Sequence, residues 1–169
     1  MILNFIFGLM GIIILTAFCL IGAFIAPPVA YWCMTPYAVK ILEEYKISRK
    51  FKRKELILLS VLIAVLGTMG IVLIIFAGKQ GVESGMNLME LSIRFLTLFW
   101  MTSIFDAIVL DWWMFTKTNV FGIWLKKQTG KEPSVWRVDP QWDGKEIYKL
   151  VLELIVSVVL AWIFLGVMR

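Results

Sequence analysis

Two carboxylates, Asp106 and Glu153, stand inside apolar runs, where an ionised group is costly enough that its presence suggests a task. Lys149, Glu153 and Ser157 follow one another at i, i+4, a polar stripe along one side of an otherwise apolar helix. Thr102 and Ser103 lie one turn before Asp106 and extend a matching polar face. In a helical hairpin the two stripes face each other, with Asp106 and Glu153 at one depth, Lys149 as the nearby cation and Asp111 toward the rim. Two carboxylates and one ammonium in a low-dielectric pocket either share a proton or bind a cation. The expected function is binding or transport of a small cation, proton or amphiphile, without covalent chemistry and with no cofactor.

Two more charges, Glu90 and Arg94, stand four residues apart toward the other end of the same run. That spacing predicts a local ion pair near the outer boundary, with the long Arg94 side chain able to snorkel outward.

Other chemistries fit the residues less well. Asp106, Asp111 and Glu153 offer oxygen ligands for Mg²⁺ or Mn²⁺ in an enzyme acting on a lipid phosphate. Yet positions 106 and 111 of a straight α-helix lie about 140° apart around its axis, so one metal could not use both without a kink. The chain has no Gly-rich phosphate loop and no histidine, which excludes His-based acid/base catalysis, His-ligated metals and Ser-His-Asp triads. Cys19 and Cys33 would be about 21 Å apart on a helix, beyond disulfide reach. A third expectation is an accessory subunit that docks a protein partner through a Trp-rich loop.

The elements that must position these groups follow from composition. The 169 residues are 60% hydrophobic, with a mean hydropathy of +0.85. Four apolar stretches, near residues 3–26, 56–78, 90–113 and 147–167, each reach the roughly 20 helical residues that cross about 30 Å of hydrocarbon. None alternates polar and apolar residues as a barrel strand would. The expected fold is all-α, a polytopic four-helix bundle forming one domain over 1–169. No basic residue precedes the first stretch, and its apolar run exceeds a signal h-region, so it is expected to persist as a mature helix.

Charge placement predicts the topology. Of 17 Lys and Arg, only Lys79, Arg94 and Arg169 fall outside the connection between the first two stretches and that between the last two. The positive-inside rule puts both basic connections in the cytoplasm and both termini outside, in a multi-pass protein of the cell membrane. The net charge of +5 is thus expected to serve topology and attraction to lipids rather than nucleic acid. Its densest part, KISRKFKRK, begins at Lys46 and ends at Lys54, and is expected to meet anionic headgroups.

Punctuation adds detail. Pro27 and Pro28 should end or kink the first helix, and Thr35 with Pro36 should start a short amphipathic one lying on the surface. Trp112, Trp113, Trp124, Trp136 and Trp142 cluster at and beyond the end of the third stretch, which predicts interfacial anchoring within a long loop spanning residues 115–147. Ser60, Ala64, Gly67 and Thr68 give the second stretch a small-residue face expected to pack within the bundle, with a weaker version at Gly22 and Ala26; a homo-oligomer stays open.

Overall fold

The structure, a computed structural model, describes residues 2–33, 36–113, 120–130 and 145–168. Their order is α1 (Ile2–Ile25), a 3-10 turn (Pro27–Val29), α2 (Ala30–Cys33), α3 (Pro36–Glu44), α4 (Arg53–Glu83) and α5 (Leu88–Phe105). A π-helical segment (Asp106–Trp113), α6 (Val120–Thr129) and α7 (Lys145–Met168) complete it. No strand occurs among the described residues. Four helical runs are long and apolar enough to cross a membrane: α1, α4, Leu88–Leu110 and Ile147–Met168. Each coincides with one of the expected stretches.

The distribution of side chains inverts that of a water-soluble domain. Ile2, Phe76 and Trp162 are 81%, 58% and 68% exposed, while Arg94, Ser103 and Ser157 are buried. Apolar groups outside and polar groups hydrogen-bonded inside is the arrangement that a lipid solvent rewards.

The chain forms two compact units, one drawn from Met1–Ile14, Gly67–Phe105 and Trp142–Arg169, the other from Leu15–Leu66 and Asp106–Gln141. In the first unit, Phe7, Leu73, Ala77, Leu91, Phe95, Leu98 and Ala161 form the core. Glycines let the helices approach. Gly8 faces the Met101 side chain, and a Cβ on Gly11 would stand 2.7 Å from Thr102 Oγ1, so α1 and α5 run in parallel register. Phe95 meets Phe164 at 5.6 Å between ring centroids and Ser103 meets Glu153, so α7 runs antiparallel to α5.

The α4–α5 turn closes with every helix-end rule obeyed. Gly85, at φ +73°, donates to the Val82 carbonyl and Met86 donates to that of Gly81, the two bonds of a Schellman motif. Asn87 then caps α5: its Oδ1 accepts from the Glu90 N–H, and the Glu90 carboxylate accepts from the Asn87 N–H, each at 2.9 Å.

In the second unit, α1 stops before the two prolines as expected, and Pro36 is the first residue of α3; Thr35 lies outside the described residues. Leu42, Ala30, Trp124 and Leu125 form one core cluster, and Ala26, Val29 and Leu59 another. α3 ends in a second Schellman motif, Lys46 donating to Glu43 and Ile47 to Leu42. Its left-handed residue is Lys46, at φ +53°, a conformation that costs a non-glycine residue roughly 1–2 kcal/mol.

The small-residue face behaves otherwise than expected. Ser60, Ala64, Gly67 and Thr68 are exposed, and a Cβ on Gly67 would meet nothing within 4 Å. Close packing falls about three and four turns later, at Gly78 and Gly81, where a Cβ would stand 2.5 Å from Phe164 and from Leu91 respectively. Gly22 and Ala26 are buried as expected, Gly22 against Val29 and Leu62. The Gly78→Ala substitution is therefore expected to lower stability by about 1–3 kcal/mol through overpacking. Gly67→Ala should gain about 0.5–1 kcal/mol of helix propensity, both read as thermal midpoints in one detergent.

Candidate functional site

Polar groups along α5 and α7 meet inside the first unit. Ser103, 7% exposed, donates its hydroxyl proton to the half-buried Glu153 carboxylate. One turn on, the fully buried Ser157 donates to the Glu153 backbone carbonyl at 2.6 Å. Trp100 reaches across the same pair of helices and donates its indole N–H to the Leu150 carbonyl at 3.2 Å. Lys149 is half-buried one turn before Glu153. The polar stripe expected on α7 thus meets a hydroxyl of α5.

Thr102 does not share this seam. Its hydroxyl bonds the Leu98 carbonyl at 2.8 Å, and its side chain faces Gly11 of α1. Consecutive helical residues point about 100° apart, so Thr102 and Ser103 serve different neighbours.

Asp106 is half-buried and opens the π-helical segment in the second unit, whereas Glu153 belongs to the first. π-helical turns are rare and recur at functional sites. Their i to i+5 bonding also widens the turn assumed for an α-helix, so backbone position 111 lies closer to position 106 around the axis than the roughly 140° of a straight α-helix. Among the described residues, no three His, Cys, Asp or Glu side chains converge as a metal site would require.

The expected pairing of Glu90 with Arg94 is replaced by two other arrangements. Glu90 is committed to the capping box with Asn87. Arg94 turns inward and is 2% exposed. Its Nε donates to Asn4 Oδ1 at 2.9 Å, and its Nη1 donates to the Ala77 carbonyl at 3.1 Å and to Gln80 Oε1. The guanidinium also lies 5.6 Å from the centre of the Phe7 ring, within cation–π range. Local spacing alone favoured the ion pair; the reciprocal cap removes Glu90, and the amides of α1 and α4 offer Arg94 acceptors inside. Asn4 and Gln80 escaped notice in the sequence, although a side-chain amide near the end of each of two apolar helices, level with a buried arginine, was a usable signal.

The tryptophans divide as well. Trp113 is exposed. Trp124 is not an anchor but a core residue: 3% exposed, packed with Leu42 and Leu125, its N–H bonded to the Ala23 carbonyl at 3.0 Å. It sits on α6, a helix within what the sequence suggested was loop, and the amphipathic face of that helix carries it inward. The side chains of Asp111 and Trp112, and residues Trp136 and Trp142 altogether, lie outside the described residues.

Set against family models, curated proteins and solved structures, the chain matches none. Function must therefore come from the site itself.

Removing the guanidinium leaves at least two buried acceptors unmade, at about 1–3 kcal/mol each, so Arg94→Met should cost roughly 2–4 kcal/mol. Arg94→Lys should recover only part, since an ammonium lacks the planar fork that spans Asn4 and Ala77. Thermal unfolding of the detergent-solubilised protein, with Asn4→Ala as the single-bond comparison, checks both.

Proposed function

We propose that this is a multi-pass protein of the cell membrane that binds or moves a small cation, a proton or a cationic amphiphile through the seam containing Glu153. The observation that carries the reading is a carboxylate held by the Ser103 hydroxyl between two helices apolar enough to cross a membrane. An ionisable side chain in such a setting is a functional-site candidate by default. A carboxylate there accepts a proton or replaces part of a cation's hydration shell, and the Ser103 and Ser157 hydroxyls supply further oxygens along the same face.

Topology enters the proposal through charge. The positive-inside rule places both basic connections on the cytoplasmic side, so Glu153, eight residues into α7, lies in the cytoplasmic half. The basic run from Lys46 to Lys54 then faces anionic headgroups of the inner leaflet.

Purified protein in liposomes carrying a trapped pH dye tests the reading, with Na⁺, K⁺ and tetraphenylphosphonium gradients run in parallel. Wild type should dissipate at least one gradient; Glu153→Gln should reduce that flux tenfold or more, while Glu153→Asp retains most of it. Liposomes as tight as empty ones, or full flux in a folded Glu153→Gln variant, would overturn the proposal.

A further inference from the structure

In the second unit, the segment that follows α3 borders an open cavity of about 290 Å³ with a basic lining. Lys46, Lys50 and Lys52 contribute to its wall, with Ser48 between them and Gln128 and Thr129 from the end of α6 opposite. Glu55 is the one acidic residue among the described residues of the lining, and it is already engaged: its carboxylate accepts the Lys52 N–H at 3.0 Å and stands 3.9 Å from the Lys52 ammonium. Among the described residues, three lysines and one committed carboxylate thus contribute to the lining. The remaining basic residue of this stretch with a fixed partner, Arg49, is held outside the cavity by Glu43 and by the Tyr31 ring at 4.9 Å.

The cavity is shaped rather than being a loose run of surface charge. Lys46 occupies the left-handed position of the α3 Schellman motif, which turns the chain sharply. Ser48 then accepts the Lys50 N–H at 3.1 Å, a tight local turn between two of the lining lysines. Pro27 and Pro28, just past the end of α1, close another part of the wall, and Glu55 lies in the first turn of α4. The cavity therefore stands where two helices apolar enough to cross a membrane reach their polar ends.

We infer that this cavity binds a phosphate monoester, the dianionic head of a lipid such as phosphatidic acid or the same group on a small soluble ester. A dianion suits several ammonium donors flanked by hydroxyl and amide groups, and the volume fits one compact headgroup rather than a long ligand. The inference rests on the membrane-surface placement of the basic run but not on Glu153. It sharpens that placement: general attraction to a charged surface treats every lysine alike, whereas a built cavity does not.

The test uses the full chain in neutral detergent micelles, with retention of added molecules followed by native mass spectrometry. Short-chain phosphatidic acid should be retained one to one, at least fivefold better than short-chain phosphatidylserine. The Lys46→Ala/Lys50→Ala double variant should lose that preference. Arg53→Ala/Lys54→Ala, which removes equal charge from residues outside the lining, should keep it. Thermal midpoints of both variants establish that they are folded. Glycerol 3-phosphate binding as tightly as phosphatidic acid would support the phosphate site and assign it to soluble esters. Equal losses in the two double variants, or no preference over phosphatidylserine, would overturn the cavity and leave only diffuse charge. No retention of any anionic lipid would overturn the surface placement as well.

Discussion

The first unit is organised around a positive charge that has been taken out of solvent. Arg94 is buried among neutral groups, and a guanidinium in such a place is tolerable only when its hydrogen bonds are made. Asn4 binds it from α1, Gln80 and the Ala77 carbonyl from α4, and Phe7 offers the face of its ring. A fork of fixed shape accepts little sliding, so these contacts fix the axial register of three helices at once. In a lipid solvent apolar packing alone would not, because lipid tails would compete with Leu and Phe for the same surfaces. Gly81 completes the arrangement: a Cβ there would stand 3.3 Å from Arg94 Nη1 and closer still to Leu91.

The same logic orders the other polar groups. Ser103 reaches Glu153, Trp100 reaches the Leu150 carbonyl, and Thr102 lies against Gly11, so one turn of α5 serves two neighbouring helices. Directional bonds choose the partner and glycines set the distance. The large apolar side chains, by contrast, mostly face outward and say little about which helix lies beside which.

That division explains how much was legible in the sequence. Four long helices followed from the length of the apolar runs, and the end of α1 from Pro27 and Pro28, because both depend on local composition. That a polar stripe of α7 would face α5 was anticipated from the i, i+4 spacing, whereas the partner expected for Glu153 was Asp106 and not Ser103. What failed was the choice among local partners that were all plausible. Glu90 had two, Arg94 and the Asn87 backbone, and only the end of α5 decides between them. Trp124 reads as an anchor in a loop and as a core residue on a helix, and the sequence did not reveal α6. The small-residue face went to the wrong turn of α4 because a stripe of small residues reports that approach is possible, not that a neighbour is there. The π-helical segment has no sequence signature that we can name.

The link between α4 and α5 has a mechanical consequence. Its Schellman motif and capping box satisfy the backbone groups at both helix ends within four residues, which leaves no slack for the helices to shear or splay. Arg94 rivets the same pair a turn further in. Those two helices must therefore travel as a single stiff piece. α7 is joined to α5 by a much longer stretch of chain, so side-chain bonds across the seam, Ser103 to Glu153 and Trp100 to the Leu150 carbonyl among them, must hold that pair where the α4–α5 link relies on its turn.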